Sequence, residues 1–155
     1  MEKIEILRLL KNDDLRLETL SKLTQTNDPE IIQEIIELFD AEEIEVRGAV
    51  FSTLFLNEND ILMQLIKGLN HESKNVRAYV TLVLANRNEK NAIQEIVDLI
   101  NDSSGLVRMC VHGALGHLEA KEHADKLHEG IFDSNLEVVK SAAYALARID
   151  EKISY

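Results

Sequence analysis

The chain has one cysteine, one proline and no tryptophan among its 155 residues, and aromatic side chains make up 5% of it. The lone Cys110 excludes an intramolecular disulfide, and with it a disulfide-stapled scaffold. So few aromatics leave little material for β-sandwich cores or for base-stacking platforms. No long apolar run occurs, and the first residues, up to Asp14, mix acids with apolar side chains, so neither a signal peptide nor a membrane span is expected. Basic residues are outnumbered, 17 against 28 acidic, for a formal net charge of -11. That field repels phosphate backbones and anionic lipid surfaces, which removes nucleic acid and membranes as expected partners and favours a basic protein or peptide. The hydrophobic content of 45% is ordinary for a globular chain of one-domain length, and a cytoplasmic location follows from the cysteine usage.

What the chain does have is a period. A hydrophobic residue followed by arginine recurs at Leu15-Arg16, Val46-Arg47, Val76-Arg77 and Val107-Arg108, and Val138-Val139 keeps the register without the charge. Seven residues after each of these positions stands a leucine: Leu23, Leu54, Leu84, Leu115 and Leu146, spaced 31, 30, 31 and 31. Two markers sharing one period in this range signal a solenoid, whose units bury their apolar faces only against their neighbours.

Within one unit the apolar residues follow helical spacing twice. In the third these are Ile61, Leu62, Leu65, Ile66 and Leu69, then Val76, Val80, Val83 and Leu84, with a polar break around Asn70 to Ser73. The unit is therefore helix, short turn, helix. The division is 1–27, 28–57, 58–88, 89–120 and 121–155, ten helices in one domain, the first unit with its shorter turn at Asn12 to Asp14 serving as a cap. Capping oxygens precede several helices, at Asp28-Pro29, Asp60 and Ser103-Ser104.

An acid or Asn at the turn followed by V-R-x-x-V/A-x-x-x-L resembles the short HEAT-like repeats also found in phycobilisome lyase subunits. The stretches Ser104–Gly116 and Asn135–Ile149 carry the resemblance best. It implies an all-α, right-handed α-solenoid with the second helices lining the concave surface. It also implies that Arg16, Arg47, Arg77 and Arg108 form a structural ladder, each pairing with an acid or carbonyl of an adjacent turn. Asp40, Asn70 and Asn101, seven residues before the last three, are the expected acceptors, which suggests hydrogen bonds more than ion pairs.

No catalytic constellation is visible. His71-Glu72 and His128-Glu129 fall at inequivalent places in their repeats, so they do not reproduce the paired His-Glu iron ligands of HEAT-like hydroxylases, and no metal or cofactor is expected. Cys110 reads as a packing residue, and Gly113 and Gly116 as places where helices approach closely. Counting from each marker arginine (Val139 in the last unit), positions +1, +4, +5 and +8 point away from the core at 100° per residue. Among these twenty residues only Lys140 is charged, and Leu20, Phe51, Phe55, Leu82, Met109, His112 and Tyr144 floor a shallow apolar groove. Glu30, Glu34, Glu37, Glu42, Glu43 and Glu45 concentrate negative charge in the second unit.

The sequence thus describes a non-catalytic interaction module, an adaptor or scaffold binding a protein or peptide on its concave face. Two other readings fit it: an acidic inhibitor or immunity-type protein neutralising a basic partner, and a subunit of a HEAT-like enzyme such as a chromophore lyase. Self-association through the terminal repeats is open to a last unit that has no obvious polar cap after Ile149.

Overall fold

The computed structural model describes residues 1–149, a succession of helices joined by turns with no strand among them. Ten α-helices pair in chain order: α1 (Lys3–Leu10) with α2 (Arg16–Ser21), α3 (Pro29–Glu37) with α4 (Ile44–Leu56), α5 (Leu62–Gly68) with α6 (Lys74–Asn86), α7 (Ile93–Val97) with α8 (Gly105–His117), and α9 (Ala124–Gly130) with α10 (Leu136–Arg148). The second helices α4, α6, α8 and α10 each have 13 residues. The first helices are shorter, and single 3₁₀ turns at Lys90–Ala92 and Lys121–His123 lead into α7 and α9. Residues 150–155 lie outside the described part, and with them the end of the last unit beyond Ile149, where self-association is left open by the sequence.

Local chemistry sets the helix boundaries. Asp28 caps α3 by accepting from the Glu30 and Ile31 N–H groups, with Pro29 at the first helical position, where its missing donor costs nothing. Ser73 and Ser104 accept from the N–H groups of Val76 and Val107, and Asn135 from that of Glu137. Asp60 contributes through the Leu62 N–H at 3.2 Å. At the other end, α6 and α8 finish in the same way, on Asn88 and Glu119 in the left-handed region at φ 58° and 55°. Each turns the chain so that the next N–H bonds back, Glu89 to the Leu84 carbonyl and Ala120 to the Leu115 carbonyl.

The marker leucines and valines are the core. Leu23, Leu54, Leu84, Leu115 and Leu146 are all buried, as are Val46, Val76, Val107 and Val138. Leu15 differs and is exposed. A contiguous set of buried side chains runs from Ile6 to Ile149, and within it α8 packs between α6 and α10. Burying a leucine or valine of this kind stabilises by roughly 1.5–3 kcal/mol each.

Two glycines show how differently the two sides of a second helix are used. A Cβ at Gly116 would stand 2.5 Å from the Ala145 Cα and 2.8 Å from its Cβ, so α8 and α10 touch backbone to backbone there. A Cβ at Gly48 would meet nothing within 4 Å. Both sit inside helices, where alanine is intrinsically favoured. Gly48→Ala is therefore expected to raise stability by about 0.5–1 kcal/mol, whereas Gly116→Ala lowers it by about 1–3 kcal/mol through overpacking. Urea titration of the two variants measures the opposite signs; a shared sign contradicts this account of the α8–α10 contact.

Candidate functional site

The marker arginines do two jobs, and the acceptors differ from those expected. Each inner arginine folds its Nη1 back over its own turn. Arg47 donates to the Ala41 and Glu42 carbonyls at 2.8 and 2.9 Å, Arg77 to those of His71 and Glu72 at 2.9 and 2.8 Å, and Arg108 to those of Asp102 and Ser103 at 2.9 and 3.3 Å. Arg77 and Arg108 then reach into the following repeat with the other edge of the guanidinium. Arg77 Nε and Nη2 meet Asp102 at 3.0 and 3.1 Å, and Arg108 meets Asp133 in the same way at 2.9 and 3.2 Å. These are bidentate ion pairs, so the expectation of side-chain acceptors at Asp40, Asn70 and Asn101 and of few ion pairs is corrected. Asp40 instead accepts from Ser73 Oγ at 2.7 Å. Arg16, in the cap, pairs with Asp13 at 2.7 Å. The shared offset of 25 residues from Arg77 to Asp102 and from Arg108 to Asp133 is the sequence signal that would have found these partners.

The aspartates of this ladder are held ionised. The hydrogen bond from Arg108 is the main influence that lowers the Asp133 pKa, against some desolvation. For Asp102 burial pulls upward most strongly, but hydrogen bonds from Arg77 and the Ser104 N–H and the two arginine charges together outweigh it and leave the pKa lowered. A carboxylate with a lowered native pKa contributes stability that is complete above its unfolded value and is lost as pH falls through the native one. Asp133→Asn is thus expected to cost about 2 kcal/mol at neutral pH, with a loss that shrinks as pH falls below about 4. Thermal melts from pH 7 down to 2 test this, and a pH-independent difference contradicts it.

The residues expected to floor the groove divide into four sets. Phe51, Leu82 and Tyr144 line surface clefts among the second helices. Phe55, 45% exposed, stacks on Phe51 with ring centroids 6.0 Å apart. Met109 is half-buried against the core and lines neither cleft. Leu20 and His112 are corrected: both are buried, at 0% and 2% exposure. On a helical wheel, position +4 lies about 40° from the marker and only about 60° from the core leucine at +7. It therefore falls on the seam between neighbouring repeats, and Thr81 at the equivalent place is buried too. His112 Nδ1 bonds to the Arg108 carbonyl at 2.8 Å, its ring packs on Gly130, and burial lowers its pKa.

The clefts themselves are contiguous. One of about 360 Å³ lies between α4 and α6, lined by Phe39, Ile44, Arg47, Gly48, Phe51, Tyr79 and Leu82. Another of about 190 Å³ is lined by Leu82, Ala85, Asn86, Gly113, Ala114, His117 and Tyr144, so Leu82 belongs to both. Larger openings exist elsewhere, about 550 Å³ over the turns at Glu72, Lys74 and Ser103, and about 600 Å³ between α3 and α5. The first is walled mainly by polar and charged groups and the second exposes mostly apolar surface around Pro29 and Met63, whereas the α4–α6 cleft is walled by aromatic as well as aliphatic side chains. Ile44 and Tyr79 are groove residues that the wheel did not find. Ile44 precedes the marker, and Tyr79 packs on Phe39 of another repeat with ring centroids 5.5 Å apart.

Arg87 also escaped the periodic reading, because its equivalent in the next repeat is Leu118. It donates to the Leu54 carbonyl at 2.9 Å, to that of Asn57, and to that of Asn59 at 3.0 Å, and pairs with Glu89 at 3.0 Å. The α4–α5 loop is held by this side chain from one repeat and by hydrogen bonds of Gln25, Asn57 and Asn59 to the other. Elsewhere, burial pushes the Cys110 thiol up to about 11, so it packs as a neutral group. Among the described residues no three His, Cys, Asp or Glu side chains come together as metal ligands, and no helix is long and apolar enough to cross a membrane.

Stacked helix pairs joined by repeated turn contacts define an α-solenoid repeat protein. The chain belongs to the HEAT repeats, whose family model matches residues 62–148, more than half of its length. No curated protein matches the sequence. Among solved structures, an engineered protein is similar over 96% of this chain and 81% of its own, with 18% identity and a TM-score of 0.59. A designed armadillo repeat protein in complex with the peptide (KR)4 is similar over 93% and 80%, with 18% identity and a TM-score of 0.55. Computationally designed armadillo repeat proteins for modular peptide recognition give 18% identity and a TM-score of 0.53, over 92% and 80%. At such identities the likeness is one of fold, a HEAT or armadillo solenoid.

Proposed function

We propose that this chain is a non-catalytic interaction module that binds a peptide or protein segment across its second-helix face. The observation that carries the reading is the run of contiguous apolar clefts through Phe51, Leu82 and Tyr144 in a chain that is 29% charged. Phe55, Ile44 and Tyr144 stand 45%, 73% and 52% exposed along it, and no repeat of the described chain covers them. Aromatic anchors at the floor of a groove supply binding area at small entropic cost. The single buried cysteine suits a reducing compartment such as the cytoplasm.

A second reading is favoured by the acids of the second repeat: the module neutralises a basic partner. Glu42, Glu43 and Glu45 are exposed and make no ion pair among the described residues, although Glu30 and Glu37 are engaged with Lys3 and His71. A designed armadillo repeat protein of similar fold was solved in complex with the peptide (KR)4, which supports this reading. A random peptide library displayed on phage and panned on the protein separates the readings. Ligands from the groove reading lose at least about tenfold in affinity on Phe51→Ala with Tyr144→Ala, a truncation of two anchors, while the melting temperature holds. Ligands of the second reading keep their affinity in that variant and lose it steeply with added salt. Selected peptides indifferent to both changes overturn the assignment of this face.

A further inference from the structure

Arg47 breaks the ladder, and it does so inside the groove. Arg77 and Arg108 place Nε and Nη2 on an aspartate of the next repeat, six residues before the following marker. The residue in that register above Arg47 is His71. An aspartate there does two things: one oxygen accepts a turn N–H, Ser104 for Asp102 and Asn135 for Asp133, and the carboxylate accepts the arginine fork. His71 reproduces only the first. Its Nδ1 accepts from the Ser73 N–H at 2.9 Å, which leaves the proton on Nε2, and that nitrogen donates to Glu37 at 2.8 Å. The imidazole has no lone pair left for Arg47.

Arg47 therefore keeps its Nη1 on the turn carbonyls and lays its guanidinium over the Tyr79 ring, Cζ 5.9 Å from the centroid. Its Nε and Nη2 have no acceptor among the described residues, and neither is sealed from solvent. The same arginine lines the α4–α6 cleft beside Phe51, Tyr79 and Leu82. A fork of two parallel donors accepts a carboxylate or a phosphate, and on a chain of net charge -11 the less charged of the two, a carboxylate presented next to a large apolar side chain, suits the edge of this cleft. The two complete rungs show the fit, an aspartate side chain received at 2.9–3.2 Å.

We propose that Arg47 is a carboxylate-docking residue: the partner segment sets an aspartate side chain on its free edge, completing the ladder from outside, and seats a neighbouring aromatic or aliphatic residue against Phe51 and Leu82. This rests on the reading of the second-helix face as a peptide-binding surface, and it adds the partner's chemistry. Glu42, Glu43 and Glu45 in the same repeat repel further acids, so the segment carries one aspartate among neutral or basic residues.

Fluorescence anisotropy at about 0.15 M salt with the end-blocked peptide Lys-Leu-Phe-Asp-Lys and its asparagine twin tests the inference. The aspartate peptide is expected to bind about tenfold more tightly to the native protein. That preference disappears in Arg47→Gln. It also disappears in His71→Asp, where the new carboxylate builds the missing rung and occupies the fork; this variant keeps the turn contact to the Ser73 N–H, as Asp102 keeps that to Ser104, and exchanges the bond to Glu37 for the arginine pair, so its fold is retained. Phe51→Ala weakens both peptides alike. Equal binding of the two peptides to the native protein overturns the inference and leaves the groove reading standing. Preference for Lys-Leu-Phe with a free C-terminal carboxylate over the end-blocked aspartate peptide overturns it in favour of a chain terminus. No binding of either peptide also overturns it, and the groove reading falls with it only if the displayed library yields no ligand.

Discussion

Each helix pair in this chain has an apolar flank that only the next pair can cover, and the rest of the structure follows from that constraint. A second helix buries one side against its own first helix and another against the neighbouring second helix. What remains is a narrow strip. Thr81 and His112, polar residues on the seam, are buried because stacking leaves them no route to water, and both satisfy a polar atom on their own helix: Thr81 Oγ1 on the Arg77 carbonyl at 2.8 Å, His112 Nδ1 on the Arg108 carbonyl. The backbone contact at Gly116 and Ala145 shows how close the stacking becomes toward the last repeat.

Apolar stacking fixes which faces meet but leaves the turns free to slide, since hydrophobic burial is not directional. Directionality comes from the arginines. A guanidinium that holds two carbonyls of its own turn and a carboxylate of the next one measures the offset between repeats with fixed geometry. Two rungs are complete, and their carboxylates stay ionised far below neutral pH. The rung at Arg47 carries a histidine above it in place of the aspartate. At that rung the repeat interface opens into an aromatic cleft and the side chains on its floor are only partly covered. Structural regularity and polar recognition are in this sense complementary: where a rung is complete its arginine has no free edge to offer a partner.

The resemblance to designed armadillo proteins is consistent with this division, because a solenoid separates a stacking face from a face that is free to vary. Similar folds that share 16–19% of their residues with this chain share the first face and say little about the second. Charge on this chain is distributed in the same spirit, with acids such as Glu42, Glu43 and Glu45 on exposed turns and almost none on the strip between the second helices.

By itself the sequence determined the period, the ten helices, their caps at Asp28 and Ser104, and the buried identity of the marker leucines and valines. All of these rest on spacings within about 31 residues, and helical periodicity and capping are local. The residues of the groove were legible only in part. A wheel reports the angle of a side chain about its own helix and not what stands beside that helix, so it put Leu20 and His112 in the open, where they are buried, along with Phe51, Leu82 and Tyr144, which line surface clefts. The partners of Arg77 and Arg108, the role of Arg87, the contribution of Tyr79 and the unpaired edge of Arg47 were decided by the tertiary structure alone. Each depends on which atoms of one repeat come within hydrogen-bond or packing distance of another, and that distance is set by the stacking and not by any single unit's sequence.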